Sequence, residues 1–99
     1  MNVPNNNQID NTSYYMLPCG RQLEDFIMWL RLDFAWGSAL KYVWRAGKKD
    51  GESRGKDLAK AEHYARLIER VENVDHFQVF IELEELMYRA KDWDGKEAA

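Results

Sequence analysis

Apolar side chains recur at helical spacing along most of the chain, and short polar segments divide them into four blocks. In the first block, four side chains form the i, i+3, i+4, i+7 face of an amphipathic helix: Leu23, Phe26, Ile27 and Leu30. The predicted helices span residues 21–32, 34–46, 56–72 and 76–91. No block shows a strand signal. The pattern therefore predicts an all-α fold, a small bundle of about four helices.

Turn-forming residues separate the blocks. Residues 47–55 contain three glycines and are predicted to be a loop. Gly47 is predicted to end the second helix in the left-handed conformation, and Asp75 to cap the fourth helix. The third helix is expected to bury one stripe of side chains, formed by Leu58, Ala61, Ala65, Ile68 and either Val71 or Glu72.

The fourth block is apolar on more than one face. Its apolar side chains surround the helix axis: Phe77, Val79, Phe80, Ile81, Leu83, Leu86, Met87 and Tyr88. One interpretation is a central helix that the rest of the chain buries on two sides. The other is a helix that also forms a subunit interface. The sequence leaves both open.

The length of the chain, 99 residues, corresponds to one domain near the lower end of the usual size range. Residues 1–13 are rich in asparagine and lack apolar periodicity, so a flexible N-terminal arm is predicted there. Residues 14–99 are predicted to form the single helical domain, with the 14–20 strip packed on the first helix. A domain of this size encloses little volume, and we therefore expect a homo-oligomer.

Charge is distributed unevenly along the chain. The net charge is −3, but residues 41–60 carry seven Lys and Arg against three Asp and Glu, a local charge of +4. Residues 61–99 carry five against ten, a local charge of −5. Binding to long nucleic acid usually requires a broad basic surface. One basic segment in an otherwise acidic chain therefore argues against binding to long nucleic acid and favours a compact anionic ligand.

Several absences narrow the location and the chemistry. No stretch approaches the ~20 apolar residues of a membrane span, and the first residues do not resemble a signal peptide, so a cytoplasmic protein is expected. Cys19 is the single cysteine, which excludes a disulfide within the chain. His63 and His76 have no second His or Cys at ligand spacing, so the sequence predicts no zinc site. The four tryptophans are expected to anchor the core or an interface.

The second helix carries a mostly polar and cationic stripe. Five residues at spacings of four, three, four and three share this face: Phe34, Ser38, Lys41, Arg45 and Lys48. Further cations follow in the sequence, namely Lys49, Arg54, Lys56 and Lys60. The predicted start of the third helix lies among them, and its backbone N–H groups favour a phosphate. The pattern indicates a site for a small anion; the alternative is a solvated loop that stabilises helix ends.

The glycine-lysine segment differs from a known phosphate-binding motif. Residues 47–49 lack the upstream glycine of a Walker A motif and the Ser or Thr after its lysine, which excludes a P-loop enzyme. Asp50, Glu52 and Asp57 are candidate Mg²⁺ ligands beside a bound phosphate. Alternatively these acids cap helices, with Asp57 in the first turn of the third helix. Tyr64 either stacks on a nucleobase or packs against the second helix.

Several segments resemble the SaV-like family, small proteins found mostly in bacteriophages and prophages. The pattern Gly-x-Ala-x-Lys-Tyr-x-x-Arg-Ala-Gly-Lys covers residues 37–48, and Asp-Leu-x-Lys-Ala covers residues 57–61. The likeness extends over about residues 14–70, so the helix at 76–91 lies outside it. The chain has Tyr14 where the family usually has histidine, and Ser38 where it usually has asparagine.

Many members of that family are labelled nucleotide kinases. The resemblance implies a phage-type protein of the host cytosol that binds a nucleotide, with Mg²⁺, and is a candidate deoxynucleoside monophosphate kinase. It implies ligand contacts from Gly37, Ser38, Lys41, Tyr42, Arg45, Lys48, Lys49, Asp57, Lys60 and Tyr64.

Two other functions fit the same residues. The chain would sequester a nucleotide signal without catalysis, as a protein that counters host defence does. Alternatively it would bind a host or phage protein through its last helix, and the basic segment would then be only a solvated cap. Multiple turnover separates the kinase from the sequestering protein, and a stable protein complex without nucleotide binding favours the last.

Overall fold

The computed structural model describes residues 14–48 and 51–96, and within these ranges the chain folds into four helices. Their bounds are α1 Leu23–Leu30, α2 Phe34–Ala46, α3 Gly51–Glu72 and α4 His76–Asp92. The one β feature among these residues is an isolated antiparallel bridge between Met16 and Gln22. The all-α prediction is therefore confirmed. The predicted arm at 1–13 lies outside the described residues.

Helix α1 is shorter than the predicted 21–32 because polar residues end it on both sides. The backbone N–H of Gln22 donates to Asp25 Oδ2 at 3.0 Å, which fixes the first turn. Arg31 adopts a left-handed conformation with φ 59° and terminates the helix. Leu23 and Phe26 are fully buried, as the apolar spacing predicted.

Helix α2 has the predicted bounds, but it does not end as predicted. Asp33 accepts a hydrogen bond from the backbone N–H of Trp36 at 2.9 Å and caps the N-terminus. Gly47 has φ −72° and ψ −13°, a right-handed conformation, so the predicted left-handed cap is wrong. The physical reason is that the last turn continues into Lys48, whose N–H donates to the carbonyl of Arg45 at 2.9 Å.

Helix α3 begins at Gly51, five residues before the predicted start, so the predicted loop at 47–55 is wrong from Gly51 onward. Gly55 is a helical residue, and Asp57 lies in the second turn of the helix and not in the first. A glycine inside a helix costs only about 1 kcal/mol. Packing of this long helix against α2 outweighs that cost, because tertiary contacts supply most of the stability of helices in proteins.

The buried stripe of α3 is narrower than predicted. Ala61, Ala65 and Ile68 are buried as expected, whereas Leu58 is 43% exposed and Val71 is 72% exposed. The earlier start of α3 does not explain this difference, because it leaves the angles between these side chains around the helix axis unchanged. Asp57, next to Leu58 in sequence, instead turns inward and is buried against α2, as described below.

Helix α4 begins at the predicted N-cap. Asp75 accepts a hydrogen bond from the backbone N–H of Phe77 at 3.0 Å, which confirms the capping prediction. Val79, Leu83 and Ala90 form the buried side of the helix. Much of the remaining apolar surface of α4 is not covered by the described residues.

The two ends of the described chain meet on α1. Trp93 lies just beyond α4 and stacks on Trp29 with ring centroids 5.2 Å apart; its ring is also 5.6 Å from that of Phe26. Arg21, just before α1, donates from Nη1 to the carbonyl of Gly95 at 2.8 Å. Trp93 is thus a core anchor, as predicted for the tryptophans.

Tryptophan Trp44 ties the N-terminal segment to α2. It is 3% exposed, and its indole Nε1 donates to the carbonyl of Tyr14 at 2.9 Å. Leu17 from the same segment joins the core. Within the described ranges, none of the helices has the length and apolar character that crossing a membrane requires.

Substitution of two helical glycines by alanine tests the revised start of α3. Gly55 has open space where a Cβ would lie, so Gly55→Ala should raise the free energy of unfolding by roughly 0.5–1 kcal/mol. At Gly37 the new Cβ would lie 3.0 Å from Ile27 Cγ2, so we expect Gly37→Ala to lower the free energy of unfolding by about 1–3 kcal/mol. Urea denaturation measures both. A Gly55→Ala protein no more stable than the parent would contradict the helix at 51–55.

Candidate functional site

Helices α2 and α3 lie against each other and bring six of the ten predicted ligand contacts to one surface. The six are Lys41, Tyr42, Arg45, Asp57, Lys60 and Tyr64. Tyr15, from the segment before α1, joins them through its contacts with Lys41 and Arg45. We call these seven residues the basic aromatic cluster. The helical spacing within α2 and within α3 places each set on one face, and the packing of the two helices joins the faces.

Two parallel tyrosine rings form the aromatic part of the cluster. The rings of Tyr42 and Tyr64 are stacked with an interplanar angle of 7° and centroids 6.0 Å apart. Phe34 meets the ring of Tyr64 edge-on at 5.6 Å, and His63 does so at 5.0 Å. These contacts hold Tyr64 in a fixed orientation. The expected packing of Tyr64 against the second helix is thus present.

Two lysine ammonium groups approach the ring of Tyr42 from different helices. Lys60 Nζ is 5.3 Å from the ring centroid and Lys41 Nζ is 6.0 Å from it. Lys41 Nζ also lies 5.7 Å from the ring of Tyr15. Such distances are those of cation–π contacts. Both lysines are exposed, so their N–H groups are accessible to an anion.

The cluster also contains an ion pair between a half-buried arginine and a buried aspartate. Arg45 Nε is 3.4 Å from Asp57 Oδ2, and the Asp57 side chain is only 5% exposed. The two atoms are not aligned for a hydrogen bond, and within residues 14–48 and 51–96 neither has another hydrogen-bond partner. Charge attraction to Arg45 holds the Asp57 carboxylate in a position nearly free of water. Removing either partner would leave a charge without its counter-charge and would lower the stability of the fold.

The Tyr15 hydroxyl is a third buried polar atom beside this pair, and in the part of the chain that the structure describes it too has no well-aligned hydrogen-bond partner. Burial raises the pKa of Tyr15 above its ordinary value, although the neighbouring Arg45 guanidinium opposes the shift. Tyr15 therefore stays protonated at neutral pH and is a neutral hydrogen-bond donor in the cluster.

Arg45 is held in its charged form. Burial by itself lowers the pKa of Arg45, but the interactions with Tyr15 and Asp57 outweigh burial and raise it. With Lys41 and Lys60 also cationic, the cluster carries three positive charges against the one carboxylate of Asp57. This excess of positive charge can bind a small anion.

The other predicted contacts lie elsewhere or outside the described residues. Gly37 is buried on the side of α2 that faces Ile27, so it permits close packing with α1. Ser38 is half-buried one turn before Tyr42. Lys48 Nζ lies 4.4 Å from the ring of Trp44. Lys49 is outside the described part of the chain.

The expectation of a Mg²⁺ site near the basic segment rested on three carboxylates. Asp57 is the one whose side chain the structure describes, and it is paired with Arg45. Asp50 and the side chain of Glu52 lie outside the described residues. The Mg²⁺ site therefore stays a prediction.

Tyr15 was not among the residues predicted to contact ligand. In the sequence it belongs to an apolar strip, and the tyrosine pair at positions 14 and 15 is the one feature that distinguishes it. Its burial beside Arg45 depends on how the N-terminal segment folds back over α2, which the sequence pattern does not show.

Two of the grooves in the described part of the chain are lined by residues outside the cluster. One, of about 450 Å³, lies between the start of α2 and α4, and its lining includes Glu82 and Glu85. The other, of about 480 Å³, is lined by Trp29, Trp93 and neighbouring residues of the core edge. We consider the cluster the better site for an anion, because its charges are positive and two acidic side chains line the first groove.

Comparison with known proteins gives one match. Residues 21–66 are similar to DUF3310, a family described as of unknown function. No curated protein and no solved structure matches the chain. The matched segment contains α1, α2 and most of α3, and it includes every residue of the cluster except Tyr15. It stops before α4.

Replacing Asp57 tests whether its carboxylate is a structural partner of Arg45. Asp57→Asn removes the charge that balances Arg45 in a buried position, and we expect the free energy of unfolding to fall by about 1–3 kcal/mol. The exposed Asp92→Asn is the control and should change it by less than about 0.5 kcal/mol. Equal stabilities of the two variants, measured by thermal denaturation, would show that the ion pair contributes nothing.

Proposed function

We propose that the basic aromatic cluster binds a nucleotide or a similar phosphorylated small molecule. The observation that carries this proposal is the placement of two lysine ammonium groups, from α2 and α3, around the ring of Tyr42. Phosphate oxygens would accept hydrogen bonds from Lys41 and Lys60, with the charge of Arg45 behind them. The base would stack on an aromatic ring of the cluster, a contact worth about 1–3 kcal/mol.

Binding without turnover fits the arrangement better than phosphoryl transfer. Transfer requires charge neutralisation by metal ions and a group that orients the attacking hydroxyl. Among the described residues, the cluster has one carboxylate, that of Asp57, and it is already paired with Arg45. A protein that sequesters a nucleotide needs neither. We therefore place sequestration ahead of the kinase, and the SaV-like resemblance makes a phage protein in the host cytosol the setting that we propose.

The outer face of α4 supports a second proposed property, association with another copy of the chain. Phe77, Ile81 and Tyr88 are 69%, 52% and 62% exposed. At about 100° per residue these three positions fall within about 40° of one another. They lie on the side of the helix opposite Val79 and Leu83. This stripe matches the interface interpretation of the fourth apolar block better than the interpretation as a helix buried on two sides.

The nucleotide proposal is tested by ligand screening with a lysine variant. Nucleoside mono-, di- and triphosphates and cyclic nucleotides, with and without Mg²⁺, are added to the full chain, and the melting temperature is measured. A ligand at about a hundred times its Kd should stabilise the folded state by about 2.7 kcal/mol. Lys60→Gln should weaken binding of that ligand about tenfold, equivalent to about 1.4 kcal/mol.

Lys91→Gln is the matched control for Lys60→Gln. Lys91 Nζ also lies over a tyrosine ring, 5.5 Å from that of Tyr88, but on α4. Its substitution should leave the nucleotide affinity unchanged. No stabilisation by any nucleotide, or equal losses in the two variants, would refute the proposed site. With a hit, formation of a phosphorylated product would identify a kinase, and its absence a sequestering protein.

A charge placed in the apolar stripe tests the association. Ile81→Glu should convert the oligomer to a monomer, measured by light scattering coupled to size-exclusion chromatography, because it puts a desolvated charge into the interface. Leu58→Glu is the control, since Leu58 is a similarly exposed aliphatic residue on α3. A parent protein that is monomeric at all concentrations would exclude this interface.

A further inference from the structure

A compact group of titratable side chains lies at the junction of α3 and α4, away from the basic aromatic cluster. Asn73, with φ 59°, reverses the chain after α3, and His76 begins α4 two residues after Val74. The reversal turns His76 back against the last turns of α3. Its side chain is only 12% exposed.

Both ring nitrogens of His76 face carboxylates. Nδ1 lies 3.5 Å from Glu69 Oε2 and 3.8 Å from Asp75 Oδ1, and Nε2 lies 3.7 Å from Glu62 Oε2. The Nδ1 atom is inaccessible to solvent and has no hydrogen-bond partner among the described residues. A buried polar atom without a partner is unusual and calls for an explanation.

We propose that His76, Glu69 and Asp75 bind a divalent transition-metal cation, with Zn²⁺ as the leading candidate. One ligand atom from each residue lies within 4.8 Å of the others. In a tetrahedral site with bonds of about 2.0–2.1 Å, ligand atoms are about 3.3 Å apart. The 3.5 Å between His76 Nδ1 and Glu69 Oε2 is close to that separation.

Backbone hydrogen bonds position the two carboxylates. Glu69 Oε2 accepts from the N–H of His76 at 3.4 Å, and Asp75 Oδ1 accepts from the N–H of Phe77 at 3.0 Å. A carboxylate oxygen has a second lone pair, so these bonds leave capacity for a metal. The end of α3 and the start of α4 thus bring three ligand groups together around one point.

Glu62 completes an arrangement that is typical of metal-binding histidines. Such a histidine usually directs its other ring N–H to a carboxylate, which fixes the tautomer and strengthens the ligand. Glu62 faces Nε2 of His76 and leaves Nδ1 for the metal. Arg66 donates to Glu62 at 2.9 Å and lies 3.7 Å from Glu69 Oε1. It therefore balances part of the negative charge without approaching the Glu69 oxygen that faces His76.

The choice of cation follows from the ligand types. Imidazole suits Zn²⁺ and its neighbours in the first transition row, and one nitrogen with two carboxylates is a mixed set of that kind. Three protein ligands leave a fourth position for water or for a ligand atom from outside. The sequence pattern does not indicate this site, because no second His or Cys stands at ligand spacing from His76; in the proposed set, carboxylates complete the ligands.

Titration calorimetry of the metal-free full chain with Zn²⁺ alone tests this site. We expect one Zn²⁺ per chain and a Kd that rises at least tenfold in His76→Gln. Glu69→Gln should weaken binding as well, and Glu62→Gln, which removes the outer carboxylate, should do so by about 10–100-fold. His63→Gln and Glu84→Gln are the matched controls, because both residues are exposed on other faces, and their affinities should equal that of the parent.

A second readout keeps the test independent of folding. Asp75→Asn keeps a good helix cap, so a loss of Zn²⁺ affinity in that variant would reflect the lost ligand charge. In ¹⁵N spectra of the histidine side chains, Zn²⁺ should shift the Nδ1 resonance of His76 and leave His63 unchanged. No Zn²⁺ binding by the parent, or equal affinity in His76→Gln, would overturn the proposal and leave the carboxylates as ion-pair partners of His76. Neither result bears on nucleotide binding, because the two sites share no residue.

Discussion

The close packing of α2 against α3 is the interaction on which the rest of the structure depends. Ala39 on α2 and Ala61 and Ala65 on α3 are completely buried. Small side chains in buried positions allow the two helix axes to approach, and Leu40 on α2 is also completely buried. Every residue of the proposed nucleotide site except Tyr15 lies on one of these two helices. The cluster exists only because this apolar contact sets the distance between them.

Helix α3 carries residues of both proposed sites, because its three stripes of side chains point in different directions. At about 100° per residue, the buried stripe of Ala61, Ala65 and Ile68 lies between two flanking stripes. One flank carries Asp57, Lys60 and Tyr64 and faces α2. The other flank carries Glu62 and Glu69 and faces the start of α4. The basic aromatic cluster and the proposed metal site at His76 therefore lie on opposite flanks of α3. Because they share no residue, the sequence of each can change without disturbing the other.

The sequence predicts the helices well, because their periodicity and caps are local. The bounds of α2 and the cap at Asp75 follow directly from it. The start of α3 could not be predicted, because Gly51 and Gly55 favour a loop locally and only the packing of α3 on α2 outweighs them. The candidate site is predictable to the same extent: the spacing of Lys41 and Arg45 shows the cationic face. That Asp57 is a buried partner of Arg45 depends on a contact between helices.

The stacking of Trp93 on Trp29 has a consequence for the order in which the chain folds. Helix α1 has eight residues, too few to be stable in isolation, and it relies on a partner from near the other end of the sequence. Closing that contact requires a loop of almost the whole domain, which raises contact order and slows folding. During synthesis, α2 and α3 can pack together before Trp93 has been synthesised, and α1 then lacks its stacking partner. We therefore expect the domain to become fully cooperative only after its last helix has left the ribosome.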